Sequence, residues 1–453
     1  MECVYIDSFS LKGLQFNGAW MYSNDNTSFL LSPNGTSIML DASLVAEILT
    51  KKITDELGFK LVSHGFASVP SSPSLVNTTS NKPTFFIIDL TQRCNLNCTY
   101  CFRDFQQRNS SISINELENI CNYISNYCRK YNIKNFYIQP WGGEPLLEFN
   151  KILHIQDYFA RRNQYPHISI ETNATLISED IAKELYKRHI SVGISIDGDQ
   201  VIHDKQRPYN SQKGSFNDVV RGLINLQKVG FTSFGTISVV TNNSIDNIES
   251  IIKYMVKVLK LTNLKFNLVR TSENSNLAVS VNKIDIYVEK LFSTIISLLK
   301  DGYIVSEGNI IERIYNLLTR QERNICKSRG CMGGRKMVSF NKKGEIFPCE
   351  MIDYADEKIG SILDEDLIDV VNNAIETAKY FKTKTSNQCR QCPWWYYCKG
   401  GCHAAIKYRN NSYEGIDEIE CQINQKLYPM IIDLILNQPI LIEKITKGKI
   451  KIY

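Results

Sequence analysis

Cysteine is the residue type whose spacing most clearly points to chemistry in this sequence. Cys94, Cys98 and Cys101 lie within eight residues, directly after an apolar run that ends in IIDL. Three thiolates on one short loop can hold three irons of a four-iron cluster and leave the fourth iron open to an outside ligand. Structural zinc is the alternative, but zinc sites usually have a fourth Cys or His nearby, and this segment has none. The loop therefore predicts an iron–sulfur site with an open position.

A second group of cysteines lies near the C-terminal end. Eight thiols fall between Cys326 and Cys421, at intervals that fit two four-cysteine sites. Glycine and proline surround them in GCMGGR, KGEIFPC, QCPWW and CKGGC, which favours tight turns whose backbone N–H groups can bond to sulfur. The spacing predicts two further metal centres and leaves both iron–sulfur clusters and zinc open.

The segment between the two cysteine regions alternates strand and helix patterns. Six short apolar runs are rich in β-branched or aromatic residues and predict strands at 85–89, 136–139, 168–171, 191–196, 235–240 and 264–269. Amphipathic helical patterns separate them, as at 114–131, 178–188, 216–229 and 246–259. Six successive strand–helix units predict an α/β fold with a parallel sheet, either open or curled toward a barrel.

Polar residues cluster where the predicted strands end. They are 91–101, Gly142 to Pro145, Thr172 with Asn173, Ser195 with Asp197, and Arg270. Active sites of parallel sheets lie at the carboxyl ends of the strands. We therefore expect these residues to lie close together around the first cysteine loop.

The loop RCNLNCTYC resembles the cluster-binding signature of the radical S-adenosylmethionine (SAM) enzymes. The resemblance implies that the open iron binds SAM, which is cleaved to methionine and a 5′-deoxyadenosyl radical. WGGEPLL resembles the glycine-rich motif that receives the methionine amino group, and Arg207 in IHDKQRP matches a partner of the methionine carboxylate. IETNATL and GISIDG match family strands that contact ribose and methionine. The cofactor contacts implied in this way are Tyr100, Gly142, Gly143, Glu144, Pro145, Thr172, Asn173, Ser195, Asp197 and Arg207.

The C-terminal cysteines are similar to the SPASM extension of these enzymes, which carries two auxiliary four-iron clusters. The resemblance assigns Cys326, Cys331, Cys349 and Cys402 to the first auxiliary cluster, and Cys389, Cys392, Cys398 and Cys421 to the second. All eight ligand positions are filled, so neither cluster is expected to have an open iron. The implied cofactors are three [4Fe-4S] clusters and SAM.

The implied architecture is a partial (β/α)6 TIM-like barrel with a small N-terminal α+β module and a C-terminal iron–sulfur domain. We expect the module at 1–80, the radical SAM core at 81–310, and the SPASM domain with a C-terminal helix at 311–453. The module loosely resembles leader-peptide recognition domains, and the alternative is a cap that only covers the barrel.

The implied function is oxidative modification of a ribosomally made precursor peptide, as a thioether or carbon–carbon crosslink. An anaerobic sulfatase maturase, which makes formylglycine, is the first alternative. Those enzymes place an Asp after the third cysteine of the first auxiliary site, whereas this chain has Glu350 after Cys349. Glu350 is the predicted catalytic base, and the alternative is a structural residue that bonds a loop N–H. The second alternative is a non-catalytic iron–sulfur or zinc scaffold.

Composition sets the outer limits. The 453 residues are 43% apolar and 22% charged, which excludes disordered, collagen-like and coiled-coil chains. The chain has 52 Lys and Arg against 47 Asp and Glu, and the resulting net charge of +5 gives no reason to expect a nucleic-acid groove. The N-terminal segment lacks signal-peptide features and no long apolar run occurs, so we expect a cytoplasmic protein without a membrane partner. The expected partners are the peptide and an external electron donor such as flavodoxin or ferredoxin.

Overall fold

The computed structural model describes residues 3–11, 13–69, 81–103, 110–232, 234–319, 321, 324–352, 355–364, 366–381 and 387–452. The composition of PSSPSLVNTTSNKP predicts a linker at 70–83, and most of it lies outside these ranges. No helix in the described part of the chain has the length and apolar character needed to cross a bilayer.

The N-terminal part forms two small antiparallel sheets and two helices. The first sheet has the order β1-β4-β5-β6 and the second has the order β2-β3-β7. The elements are β1 (Cys3–Ile6), β2 (Phe9–Leu11), β3 (Leu14–Phe16), β4 (Ala19–Ser23), β5 (Thr27–Leu31), β6 (Ser37–Asp41), α1 (Ala42–Leu49), α2 (Asp55–Ser63) and β7 (Ala67–Ser68). Strands β5 and β6 form a hairpin around Gly35, whose φ of 75° suits glycine.

The central part is an alternating β/α unit, as the patterns predict. Its elements are β8 (Phe85–Thr91), α3 (Ile114–Lys130), β9 (Tyr137–Gly142), α4 (Phe149–Ala160), β10 (His167–Thr172), α5 (Glu179–Lys187), β11 (Ser191–Ser195), α6 (Gln200–Gln206), α7 (Phe216–Lys228), β12 (Gly235–Val240), α8 (Ile248–Lys257), β13 (Asn263–Leu268), α9 (Ile284–Lys300), β14 (Ser306–Glu307) and α10 (Gly308–Leu318). Strands β8 to β14 are parallel to their neighbours, so the six predicted strands are confirmed and β14 adds a seventh.

The C-terminal part extends the same sheet at its β8 edge. Its elements are β15 (Met337–Phe340), β16 (Glu345–Phe347), β17 (Gly360–Ser361), α11 (Leu367–Thr377), α12 (Asn387–Arg390), α13 (Trp395–Cys398), α14 (His403–Asn410), α15 (Glu418–Asn437) and α16 (Pro439–Ile445). Strand β15 pairs in parallel with β8, and β16 and β17 follow in antiparallel order. The ten strands run from β14 to β17 in one open order, without closure into a barrel among the described residues.

Alternation along the strands explains how the sheet separates its core from its site. In β10, Ile168 and Ile170 are fully buried in the main core, whereas Ser169 and Glu171 on the opposite face are partly exposed. Helices cover the apolar face; α3, for example, begins at a capping box between Ser113 and Glu116 and buries its apolar stripe. The concave polar face is left for the site.

The N-terminal sheets pack on the C-terminal cysteine region. Tyr22 stacks on Trp394 with 5.9 Å between ring centroids. The Tyr397 hydroxyl donates to the carbonyl of Gly35 at 2.7 Å. Trp394 is 1% exposed in this arrangement, so this contact is part of the folded core.

Candidate functional site

A cavity of about 370 Å³ lies at the carboxyl ends of strands β8 to β13. Twelve of the predicted site residues line it: Cys94, Cys98, Tyr100, Cys101, Gly142, Gly143, Glu144, Thr172, Asn173, Ser195, Arg207 and Glu350. Pro145 and Asp197 do not line it, but Asp197 contacts the lining residue Arg207 from behind. The strand ends therefore bring the first cysteine loop and the predicted cofactor contacts together, as the sequence patterns indicate.

The first cysteine loop is held in place by the segment that follows α6. The backbone N–H of Asn97 donates to the Pro208 carbonyl at 2.7 Å, and that of Thr99 to the Gln206 carbonyl at 2.9 Å. The Asn210 amide donates to the Cys94 carbonyl at 3.2 Å. These bonds fix the loop backbone independently of the thiols, so the three sulfur atoms stay available as ligands.

The chemistry of the three thiols fits a metal cluster. Burial raises the pKa of Cys98 to about 12, Arg207 opposes this, and the neighbouring thiols Cys94 and Cys101 raise it further. The Cys98 thiol therefore bears no charge by itself at neutral pH, and two further thiols lie close to it. A polynuclear cation that binds their thiolates would offset this cost, so the donor set fits a [4Fe-4S] cluster.

The two glycines of the GGEP motif are required by packing within the chain. A Cβ on Gly142 would lie 2.2 Å from the Thr91 carbonyl oxygen, and a Cβ on Gly143 would lie 2.4 Å from that of Arg93. The same segment donates from Gly143 N to the Thr91 carbonyl at 2.8 Å. The missing side chains therefore let the end of β9 lie directly against the cysteine loop, a reason that the sequence alone does not reveal.

Glu144 ties three elements together. Its carboxylate accepts from the Thr172 hydroxyl at 2.7 Å and from the backbone N–H groups of Asn173 and Leu146 at 2.8 and 3.0 Å. Burial raises the pKa of Glu144, and these hydrogen bonds only partly oppose the effect. Asn173 in turn donates to the Asn95 side chain at 2.9 Å, which links β10 to the cysteine loop.

Asp197 is the centre of a second buried network. It accepts from Arg207 Nε at 3.0 Å and from the Tyr100 hydroxyl at 2.7 Å. Burial by itself raises the pKa of Asp197, but Arg207, His203 and the Tyr100 hydrogen bond lower it overall. One of the guanidinium donors of Arg207 is thus used by Asp197, while the residue lines the cavity and keeps its charge for an anionic group there.

The first set of C-terminal cysteines converges beside the cavity. Cys349 is buried with Tyr380 in a small apolar cluster, and Cys326, Cys331 and Cys402 pack against it. Burial raises the pKa of Cys349 well above its ordinary value, and Glu350, Cys331 and Cys402 raise it further. The Tyr380 hydroxyl lies 2.9 Å from the Cys331 sulfur.

The second set surrounds a small pocket lined by Cys389, Cys392, Cys398 and Cys421. Burial raises the pKa of Cys421 to about 11, and Cys392 and Cys389 raise it further. The Gln425 amide donates to the Cys392 sulfur at 3.3 Å. The tertiary structure thus brings the eight thiols together in two groups of four, and their assignment as cluster ligands stays a prediction.

Among the residues that the structure describes, no three His, Cys, Asp or Glu side chains converge as ligands of one metal ion. A zinc site needs four ligand atoms about 2.0–2.3 Å from a single ion. The thiolates of a four-iron cluster bind different irons and lie farther apart.

Glu350 and Arg270 lie between the cavity and the first set of C-terminal cysteines. Glu350 lines the cavity next to Met351. Cys402 raises the pKa of Arg270, burial opposes this, and Cys326, Asp417 and Glu350 raise it further. A carboxylate and a guanidinium are thus placed at the wall that separates the two regions.

Trp141 and Glu171 are among the lining residues to which the sequence patterns gave no role. Both lie on strands and inside the motifs WGGEPLL and IETNATL, beside residues assigned to the cofactor. Glu171 belongs to the face of β10 opposite Ile168 and Ile170, so strict period-two alternation could have placed it toward the site.

Two sequence profiles match the chain. The profile of the radical SAM superfamily matches residues 88–255, and the SPASM profile, an iron–sulfur cluster-binding domain, matches residues 331–393. An uncharacterized protein of Methanocaldococcus jannaschii is 31% identical over 59% of this chain and 85% of its own. The cysteine-type anaerobic sulfatase-maturating enzyme of Clostridium novyi is 27% identical over 68% of this chain and 84% of its own. The radical SAM cyclopropyl synthase TigE of Paramaledivibacter caminithermalis is 26% identical over 76% of this chain and 73% of its own.

Solved structures share the fold. Native anSMEcpe with bound AdoMet has a TM-score of 0.68 at 22% identity and covers 78% of this chain and 99% of its own. SuiB of Streptococcus suis, bound to the precursor peptide SuiA, has a TM-score of 0.55 at 14% identity and covers 88% and 98%. The two matched domains imply [4Fe-4S] clusters and SAM as cofactors. The chain is therefore an enzyme that belongs to the radical SAM superfamily, of the radical SAM/SPASM maturase type.

Proposed function

We propose that this enzyme installs an oxidative crosslink, a thioether or a carbon–carbon bond, in a ribosomally made precursor peptide. The observation that carries the proposal is the shared wall between the cavity and the first set of C-terminal cysteines, where Glu350 and Arg270 lie. A two-electron oxidation needs a proton acceptor and an electron acceptor close to the substrate. Glu350 in this wall offers the proton acceptor. The wall also borders the thiols that would hold the electron-accepting cluster.

Cys94, Cys98 and Cys101 would hold the cluster that binds SAM, and the two C-terminal sets would hold auxiliary clusters. When bound, the first cluster and SAM supply a 5′-deoxyadenosyl radical, and the auxiliary clusters supply electron uptake. The chain's own residues position these groups: Glu144 fixes the glycine loop, and Asp197 orients Arg207 toward an anion in the cavity. Flavodoxin or ferredoxin is the proposed electron donor.

Sulfatase maturation is the second candidate, because the relatives and the fold neighbours include enzymes of that name. One feature favours a crosslinking maturase: Glu350 stands where sulfatase maturases are expected to have Asp.

We also propose the domain limits 1–80, 81–310 and 311–453, with a leader-binding role for the first. Strand β1 is at the edge of its sheet and exposes Val4 and Tyr5, so its free edge can pair with an extended peptide. Leader binding to the full chain, measured by fluorescence anisotropy, should weaken at least about tenfold in Val4→Pro. The control is Ile304→Pro, which introduces a proline at an exposed loop residue outside the N-terminal module. Equal leader binding by both variants would mean that the N-terminal module is only a cap over the core.

The function is tested with anaerobically reconstituted enzyme, SAM, a reductant and small peptides encoded beside the enzyme. Mass spectrometry should show 5′-deoxyadenosine and a peptide that has lost two hydrogens, with fragmentation blocked inside the new ring. A product aldehyde that reacts with a hydrazide would instead indicate formylglycine. Absence of SAM cleavage under every reducing condition would leave only the scaffold hypothesis.

A further inference from the structure

Glu171 is a cavity residue that neither the fold nor the cofactor contacts explain. It lies on β10 next to Thr172, but on the opposite face, and lines the cavity together with Trp141 and Ile237. Its Oε2 atom is buried and makes no hydrogen bond with any described residue. A carboxylate in this position costs free energy unless a partner compensates it.

The chain is built to accommodate this side chain. Gly193 is paired with Glu171 across β10 and β11, and a Cβ on Gly193 would lie 2.1 Å from Glu171 Oε2. The missing side chain thus makes room for the carboxylate. The space beside Gly193 is filled by the Glu171 carboxylate itself, so any larger residue at position 193 would displace that carboxylate.

Within the part of the chain that the structure describes, no cation forms an ion pair with Glu171. Lys265 is the cation that acts on Glu171, but its ammonium group is 2.7 Å from Glu312 and is already paired there. Burial raises the pKa of Glu171 to about 7, and Lys265 opposes this only in part. The carboxylate is therefore held in an environment that a further positive charge would relieve.

The surroundings define the shape of the missing partner. Trp141 occupies the equivalent position on β9, since β9 and β10 pair in parallel from Tyr137 and His167 onward. Its indole N–H is also buried without a hydrogen bond to the described residues. Ile237 adds an apolar wall. An aliphatic stem that ends in a cation suits the ring face and the carboxylate, since both can contact the charge. The indole N–H is a donor only, so its partner would be an acceptor of the same peptide, such as a backbone carbonyl.

We propose that Glu171 and Trp141 form a substrate subsite that binds a cationic side chain, lysine or arginine, of the peptide. This inference rests on the proposed function, because it takes the substrate to be a peptide. It names the side-chain class that the enzyme prefers near the reacting position, which the sequence relatives do not specify. Glu171 is a specificity residue in this proposal, and Glu350 keeps the separate role of proton acceptor.

The test compares binding of capped pentapeptides, Ac-Ala-Ala-X-Ala-Ala-NH2, to the SAM-loaded holoenzyme by anaerobic calorimetry. X is lysine, arginine or norleucine, which keeps the stem of lysine without its charge. The wild type should bind the lysine or arginine peptide about tenfold more tightly than the norleucine peptide. In Glu171→Gln, which keeps the shape of the side chain and removes its charge, the charged and the norleucine peptides should bind about equally. The preference should persist in Glu179→Gln, an exposed carboxylate on α5.

Equal binding of charged and neutral peptides by the wild type, or no detectable binding, would overturn the subsite. So would an unchanged ratio in Glu171→Gln. Circular dichroism and iron content of Glu171→Gln must match the wild type, and Glu171→Asp provides a second variant that keeps the charge. Because 5′-deoxyadenosine formation is measured separately, a wild type that cleaves SAM but shows no preference for the charged peptides would refute this subsite and leave the proposed function standing.

Discussion

Arg207 donates from Nε to Oδ2 of Asp197 at 3.0 Å, and both residues are buried, at 7% and 2% exposure. Burial alone lowers the pKa of Arg207, but Asp197 and the residues around it raise it above its ordinary value. The pair therefore stays ionised, and its anion faces the protein while its cation lines the cavity. This polarity makes Asp197 a positioning residue for Arg207.

Asp197→Asn should strongly destabilise the protein, because it leaves the Arg207 charge buried without its partner. We expect a loss of about 3–5 kcal/mol in the free energy of unfolding. Urea denaturation measures it. Asp180→Asn removes an exposed partner of Lys183 and should change little. Similar midpoints for the two variants would contradict the structural role of the pair.

Replacing Cys94, Cys98 or Cys101 by Ala should abolish 5′-deoxyadenosine formation. The reconstituted wild type should bind about 12 irons if all three thiol sets hold four-iron clusters, and each variant about 8. Elemental analysis and chromatography of the nucleoside provide the two readouts. Zinc in place of iron, or nucleoside formation by all three variants, would refute the assignment.

Gly143→Ala should damage the site by packing alone. Its Cβ would meet the Arg93 carbonyl oxygen at 2.4 Å and force the cysteine loop away from β9. We expect a lower melting temperature and at least about tenfold slower SAM cleavage. Gly235→Ala is the matched control, since nothing lies within 4 Å of its Cβ position. A Gly143→Ala variant with wild-type stability and rate would show that the loop tolerates the shift.

Glu350→Gln should separate radical formation from product formation. The variant keeps the shape and removes the proton acceptor, so 5′-deoxyadenosine should still form while crosslinked product falls by about 10²-fold or more. Glu345→Gln, a carboxylate on β16 that bonds to Asn341, is the control and should retain product. If Glu350→Gln forms nearly the wild-type amount of crosslinked peptide, another group accepts the proton.

His203 should make stability depend on pH. Its Nδ1 accepts from the Asp197 backbone N–H, and its Nε2 lies 3.1 Å from the Ser215 hydroxyl, so the folded protein favours the neutral ring. Burial and Arg207 lower its pKa from 6.5 to about 4, although Asp197 opposes the change.

Between these two values the unfolded chain binds the extra proton and the folded chain does not. Stability from this residue is therefore complete above about pH 6.5 and is lost as the pH falls toward 4, by about 3 kcal/mol in total. Unfolding free energies of the wild type and His203→Gln, compared from pH 7 to pH 4.5, should converge on acidification. Parallel curves would mean that His203 titrates alike in both states.

The sequence by itself determined the order of the strands and the identity of the chemistry. The six predicted strands form because β-branched runs of strand length alternate with amphipathic helices, and this pattern is local. The Cys94 to Cys101 loop could be recognised for the same reason, since its three thiols are close in sequence. The profile matches confirm the superfamily that the loop indicated.

Only the tertiary structure decided which distant residues meet. Cys326 lies near Cys402, and Cys389 near Cys421, only through packing between elements, and no interval in the sequence encodes these neighbours. The short β14 has too few residues for a periodic signal, so its addition to β13 had to be seen. Glu171 and Gly193 are 22 positions apart, and only strand register places a carboxylate where a glycine leaves room for it. Such contacts depend on packing between elements, whose energies are set by three-dimensional neighbours and not by local propensity.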